Sequence, residues 1–224
     1  MSPVTSPTAP RGAPARGSRD KVEERRAELA GAALQTLAEL GYARTSLREI
    51  AQNSAFSHGV LHYYFTDKVD LIMYCVRRYK ATCVTRYDDV VATAGTAQEL
   101  REEFARILAR TLADDAAMHR LWYDLRGQSM FEPAFRADVT EIDLSLQRMV
   151  WRVLTRYAQL SGADLALTPE VAYAFCDGLF QQALLRHLAG DTGAAEQLRT
   201  TVEALLPTLL THPSSDTAAP TRAS

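Results

Sequence analysis

No apolar run in the sequence approaches the roughly 20 residues that a bilayer-spanning helix requires. The N-terminus also lacks the charged, apolar and small-residue order of a secretory signal. Only three cysteines are present, Cys75, Cys83 and Cys176. Their spacing is not that of a metal site, and they read as reduced thiols of a cytoplasmic protein. The eleven glycines form no phosphate-cradling loop. Neither sign of charge dominates: the net is −2, so bulk charge says nothing for nucleic acid. Its distribution says slightly more. Residues 1–80 carry 12 Lys+Arg against 8 Asp+Glu, and the rest carry 13 against 19, which sets a mildly basic N-terminal part on an acidic remainder. The opening MSPVTSPTAPRGAPARGSR has the arginines of an organellar transit peptide. Its four prolines oppose the amphipathic helix such a peptide needs, and it reads as a disordered arm.

Helical periodicity, by contrast, runs from end to end, and no segment alternates convincingly as a half-buried strand would. KVEERRAELAGAALQTLAEL places Leu29, Ala33, Leu37 and Leu40 on one face, with charges opposite. Gly41 then supplies the left-handed stop that helix ends favour. Ser46 and Glu49 form a capping-box pattern that opens a second helix of two turns, with Leu47, Ile50 and Ala51 inward. Ser57 caps a third short helix, on which Leu61 and Phe65 share the buried side. Thr66 or Asp67 begins a long fourth helix, DKVDLIMYCVRRYKATCVTRY. Further helices follow in TAQELREEFARILARTL, in AAMHRLWYDLRG and from Pro133 to Ser161. Another opens at Thr168-Pro169-Glu170, and a last one is bent or loosened near Pro207.

Two helices of two turns joined by three or four residues cannot stand alone. Their inward residues suffice only if the first and fourth helices close over them. His58, Gly59, His62 and Tyr63 then face outward, with Val60 at the border. That is the layout of a helix-turn-helix, whose second helix enters the DNA major groove. Gly59 permits close backbone approach to the groove floor. His58 and His62 can exchange hydrogen bonds with base edges, and Val60 can meet a thymine methyl. Tyr63 suits a phosphate oxygen, as do Arg48 and the helix start at Ser46. Lys68 opposes the dipole of the helix it begins, and a phosphate there would explain it. His58 and His62 have the spacing of two zinc ligands, but no third ligand is near in sequence, and no metal is expected.

LREIAQNSAFSHGVLHYYFTDKVDLI, approached through GYARTSLREIA, resembles the N-terminal signature of the TetR (tetracycline-repressor) family of bacterial transcriptional regulators over about residues 22–72. The resemblance implies that Ser46 and Arg48 sit at the second-helix start, that Ser57 to Tyr63 occupy the recognition helix and that Lys68 is a phosphate clamp. The family usually carries a glycine in the turn where this chain has Ala55. The resemblance also implies a ligand pocket among the middle helices and a two-fold, four-helix dimer interface from the last two, with DGLFQQALL as its core. Bulky candidates for the pocket are Tyr74, Met118, Trp122, Tyr123, Met130, Phe131, Tyr157 and Phe175, with His119, Asp124, Arg126 and Gln128 as polar partners. Taken singly, each aromatic is equally at home in a core. Phe175, Leu179, Ala183, Leu198, Val202 and Leu205 fit a helical face that a monomer would expose, and Phe180 joins them through DGLFQQALL. One recognition helix reads too few bases, whereas two held about 34–36 Å apart read a palindrome.

The expectation is therefore an all-α homodimer. It comprises a disordered arm (1–20), a helix-turn-helix DNA-binding domain (21–67), a helical ligand-binding and dimerisation domain (68–211) and a disordered tail (212–224). Its partners are a double-stranded DNA operator, a small-molecule effector and its own second copy, in a cytoplasmic, nucleoid-associated setting. No cofactor, membrane partner or catalytic site is expected. Two other readings stay open. A helical enzyme lacks any visible nucleophile, base and orienter set. A ligand-binding adaptor that does not bind an operator would keep the bundle alone.

Overall fold

The computed structural model describes residues 16–211, with side chains from residue 20 onward. Residues 1–15 of the expected arm and the whole of the expected tail lie outside the described residues. Ten α-helices account for most of the described chain: α1 (Arg16–Arg44), α2 (Leu47–Gln52), α3 (His58–Tyr64), α4 (Lys68–Cys83), α5 (Asp88–Thr93), α6 (Ala97–Asp114), α7 (Ala116–Gln128), α8 (Arg136–Ser161), α9 (Pro169–Leu188) and α10 (Ala194–Leu205). Among the described residues the sheet content is one two-residue antiparallel pair, β1 (Asp164–Leu165) with β2 (Leu210–Thr211). No described helix is long and apolar enough to cross a membrane.

Local sequence accounts for most of the helix ends. α1 begins at Arg16, so residues 16–20, expected in the arm, form its first turn. Leu29, Ala33 and Leu37 are buried along one stripe, while Leu40 is half-buried. Gly41 interrupts the helix at φ 75°, ψ 174°, a region open essentially to glycine alone, and a last turn follows it. Ser46 and Glu49 make the capping box reciprocally at the start of α2. Ser57 Oγ accepts from the Val60 amide at the start of α3, and Asp67 Oδ1 accepts from the Asp70 amide at the start of α4. α4 ends at Cys83, earlier than its apolar pattern implied; turns precede α5. Thr96 and Glu99 form a second capping box at α6. Thr168 caps α9 with Pro169 in its first turn, as its start signal predicted. At Pro207 the chain loosens into a 3-10 turn, Leu206–Leu209.

α1 and α4 close over α2 and α3. Leu29, Leu37, Ile50, Leu61, Phe65, Leu71 and Ile72 are each at most 1% exposed and belong to one hydrophobic cluster. At about 1.5–3 kcal/mol for each fully buried large side chain, this burial holds two helices that are too short to persist alone. Arg26 of α1 fastens the corner from outside. Its guanidinium is 3.0 Å from Asp70 Oδ1 and lies over the rings of Phe65 and Tyr74. α6 to α10 form the larger bundle, into which the C-terminal end of α4 reaches.

Candidate nucleic-acid interface and interior cavity

α3 has seven residues, and its two faces differ completely. Leu61 is 0% exposed, and Phe65, just past the helix, is 1% exposed. Ser57, His58, Gly59, His62 and Tyr63 are exposed, Val60 and Tyr64 half-buried. The His58 and His62 rings meet edge to face with centroids 4.4 Å apart. Tyr63 is 79% exposed, and its ring abuts Tyr64 edge-on. Ser46 and Arg48 are exposed at the start of α2. Glu49 already accepts the Ser46 amide, so the hydroxyl proton is what Ser46 can still donate. Ala55, in the turn, needs no left-handed backbone: every described residue with positive φ is a glycine.

Lys68 has a structural partner that the sequence did not reveal. Its Nζ donates to the Tyr42 carbonyl at 2.8 Å and lies 3.9 Å from the centre of the Tyr42 ring. A cation that opposes the dipole of α4 thus answers the carbonyl end of α1. Burial lowers its pKa from the ordinary lysine value, with Glu49 and Asp124 opposing the shift. The amide of Tyr42 is held too, donating to Asp124 Oδ2 of α7 at 2.8 Å. Arg120, one turn earlier on α7, donates to the carbonyls of Ala38 and Glu39. The Tyr42 ring meets Phe135 edge-on at 5.0 Å. The end of α1 is therefore bonded to both α4 and α7.

The opposite face of α7 looks into the bundle. His119, Trp122 and Tyr123 line a cavity partly open to solvent. α6, α8 and α9 supply apolar wall residues including Phe104, Met149 and Phe180, and α4 supplies Lys80 and Cys83. Most polar groups at this wall are already matched. Arg86 donates to Thr111 Oγ1 at 2.6 Å and Asp115 Oδ2 at 2.8 Å. Asp177 accepts from the Tyr123 hydroxyl at 2.9 Å and pairs with Arg126. Asp143 pairs with the other side of Arg126 at 3.2 Å and accepts from the Tyr173 hydroxyl at 2.6 Å. Burial, reinforced by Lys80 and Arg86, pushes His119 down to about 2, so the imidazole is neutral. Lys80 is different. It is 3% exposed, and among the described residues its ammonium has neither a carboxylate nor a carbonyl partner. Its spacing gave a signal: Ile72, Val76 and Lys80 follow at four-residue steps along the inner face of α4, so a lysine occupies a core position.

Of the residues expected at a pocket, Trp122 and Tyr123 line this cavity. The other six lie elsewhere. Tyr74 faces α1, donating to Glu23 at 2.6 Å and packing on Phe65. Tyr157 is buried in the core away from the cavity, and Met118 and Phe175 are half-buried outside its lining. Met130 and Phe131 are 70% and 83% exposed, because they fall in the turn beyond α7 and leave its inner face. Of the polar candidates, His119 is at the wall, and Arg126 lies behind it on Asp177. Asp124 and Gln128 are joined to each other at the α1 junction.

The expected dimer face divides likewise. Phe180, Ala183, Leu198 and Val202 are buried within the single chain, with Phe180 against His119 at 4.6 Å. Phe175, Leu179 and Leu205 are half-buried. Four-residue steps drift by about 40° each around a helix, so the series 175, 179, 183 turns from the rim into the core. A seven-residue step drifts by only about 20°. Val171, Gly178 and Leu185 follow that step, and with Ala174, Phe175 and Leu188 they form the outward apolar stripe of α9.

Comparison with known proteins bears on both features. Residues 29–75 match the family described as bacterial regulatory proteins, tetR family, and residues 96–211 match the BetI-type transcriptional repressor, C-terminal. The chain is 29% identical over 188 residues to the HTH-type transcriptional repressor Rv3405c of Mycobacterium tuberculosis, covering 82% of this chain and 90% of that protein. It is 30% identical over 185 residues to the HTH-type transcriptional regulator BetI of Burkholderia thailandensis, covering 79% and 90%. Among solved structures it is similar to FadR of Bacillus subtilis in complex with stearoyl-CoA, with a TM-score of 0.66, 19% identity and coverage of 80% and 96%. It is also similar to a transcriptional regulator of Saccharomonospora viridis in complex with choline, with a TM-score of 0.68, 17% identity and coverage of 85% and 100%.

Proposed function

The chain is a helix-turn-helix transcriptional regulator that belongs to the tetR family of bacterial regulatory proteins, and from that premise we propose a homodimeric repressor that leaves its operator when a small molecule fills the cavity. The observation that carries this reading is the two-sidedness of α3: Leu61 and Phe65 anchor it from behind, while both histidines and Tyr63 stand clear of the protein. In this reading His58, Gly59, Val60 and His62 meet base edges in the major groove. Ser46, Arg48, Ser57 and Tyr63 hold phosphates, as does a remaining ammonium proton of Lys68. The DNA-binding unit runs over about residues 21–67 and the effector and dimerisation unit over 68–211.

The outward stripe of α9, with Leu205 of α10, supports pairing of two copies about a two-fold axis. Two routes support coupling between cavity and DNA. α4 carries Lys80 at the wall and Lys68 beside the helix-turn-helix, about 18 Å apart at 1.5 Å per residue. α7 carries Trp122 at the wall and Asp124 on the end of α1. A ligand that shifts either helix moves the recognition helices out of register with successive grooves. By linkage, operator DNA then weakens the ligand by the same factor. We assign the protein to the cytoplasm, on the nucleoid, and give it no catalytic step.

The test is selection of bound duplexes from random DNA by the full chain, followed by light scattering of the complex. Enrichment of a palindrome bound by two chains is the expected result. A chain that enriches no motif, or binds as a monomer, refutes the reading.

A further inference from the structure

The relatives in complex with known molecules hold ligands of opposite charge, stearoyl-CoA and choline, so the fold leaves the sign of this chain's effector undecided. The cavity wall decides it. Resting on the reading of this cavity as the effector site, we infer that its ligand is an anion, a carboxylate or equivalent acidic head on an apolar body, bound head-first to the Lys80 ammonium.

The argument is one of unmatched groups. Two acidic residues at or behind the wall already have partners: Asp177 holds Tyr123 and Arg126, and Asp143 holds Tyr173 and Arg126. Arg86 is matched by Thr111 and Asp115. His119 is neutral and contacts the Tyr79 hydroxyl only at 3.5 Å. What remains is a donor. Lys80 is 3% exposed, no hydrogen bond or ion pair joins its ammonium to another described residue, and burial pushes it down to about 8. A second wall residue, Trp122, has a buried indole N–H that is also unpartnered. The ammonium lies 5.1 Å from the centre of that indole, and a carboxylate in the cavity can answer the ammonium through a hydrogen bond of ordinary length. An unpaired buried cation is costly to the folded chain, and an incoming anion removes that cost.

The same geometry disfavours a quaternary ammonium. Such a ligand needs free aromatic faces, but here the lysine's own cation sits over Trp122 and, at 5.7 Å, over Tyr79. A second cation would meet like charge in the same place. Phe104, Leu108, Leu146, Met149 and Phe180 give the remaining wall an apolar lining suited to an aliphatic or aromatic body.

The experiment compares three probes of one shape, octanoate, octanamide and octyltrimethylammonium, by calorimetric titration of the full chain. An aromatic pair, 3-phenylpropionate and 3-phenylpropionamide, repeats the comparison. In at least one series the carboxylate should bind tenfold or more tightly than its amide, and octyltrimethylammonium should bind least. In Lys80→Met and in Lys80→Gln that preference should fall to within about twofold of unity. Amide binding as tight as carboxylate in both series, tighter binding of the ammonium probe, or a preference that survives both substitutions overturns the inference. So does the absence of saturable carboxylate binding in both series. Titration with a selected duplex present separates this outcome from the functional reading. Lys80-dependent octanoate binding that leaves DNA affinity unchanged supports an anion site and refutes effector release. Release of DNA by octyltrimethylammonium but not by either carboxylate supports release and refutes the anion.

Discussion

Replacing Lys80 with methionine, of similar length and no charge, should make the unliganded protein more stable. Burial takes the lysine from its ordinary 10.5 to about 8. At 1.36 kcal/mol per pH unit this destabilises the charged form in the folded chain by roughly 3 kcal/mol at pH 7. Loss of the ammonium–indole contact removes about 1 kcal/mol of the gain. A net of about 2 kcal/mol should raise Tm by about 4–8 °C in a chain of this size. The pH dependence is the sharper signature. Below pH 8 folded and unfolded chains both carry the ammonium, so the whole penalty applies. Between pH 8 and 10.5 the folded chain gives up its proton first, and the stability of the wild type rises with pH. The groups facing Lys80 are Cys83 and Tyr79 of α4, Arg86, His119 of α7, Asp143 of α8 and Asp177 of α9. They are common to both proteins, so their own titration largely cancels in the difference. Thermal unfolding by circular dichroism at pH 7, 8, 9 and 10 should show the variant's advantage shrinking steadily. A variant less stable at pH 7, or an advantage unchanged at pH 10, refutes the account of Lys80 as a buried, unpartnered cation.

Other perturbations probe the remaining parts. Leu61→Ala removes a wholly buried anchor and should cost about 2–5 kcal/mol in denaturant unfolding; a loss under 1 kcal/mol would show that α3 does not depend on it. Gly41→Ala forces a β-carbon into φ 75° and to 3.2 Å from Asp124 Oδ2, with an expected loss of about 1–3 kcal/mol; a neutral result excludes the strained junction. Lys68→Ala should lower both Tm and DNA affinity, flattening the salt dependence of binding by about one phosphate's worth; an unchanged slope assigns Lys68 to the Tyr42 carbonyl alone. Leu185→Glu, in the middle of the α9 stripe and 58% exposed in the single chain, should leave the fold intact while light scattering reports monomers; persistent dimers place the interface elsewhere.

The DNA-reading half was legible because its signals are local. A capping box, a capping serine and an i, i+4 anchor pair lie within twenty residues, and each reports on its own helix. The cavity was not, because its wall is assembled from five helices far apart in sequence. Aromaticity was a poor guide there: Tyr74 and Tyr157 serve other contacts, Met130 and Phe131 leave α7 at a turn, and the decisive residue is a lysine. The outward apolar stripe of α9 was half legible, since a four-residue step followed the core edge where a seven-residue step follows the surface. Lys68 stands out in the sequence by its sign against the dipole of its own helix. The Tyr42 carbonyl that answers it comes from a chain reversal that composition and periodicity do not encode.

Tyr42 has both of its backbone polar groups occupied, its N–H by Asp124 of α7 and its carbonyl by Lys68 of α4. These two bonds, one to α7 and one to α4, therefore converge on one residue. Tilting that backbone segment strains both bonds together, so the joint behaves as a latch with one keeper and two bolts. Asp124→Asn and Lys68→Met should then be markedly non-additive in a double-mutant cycle of DNA release, the second substitution adding little once the first has opened the catch.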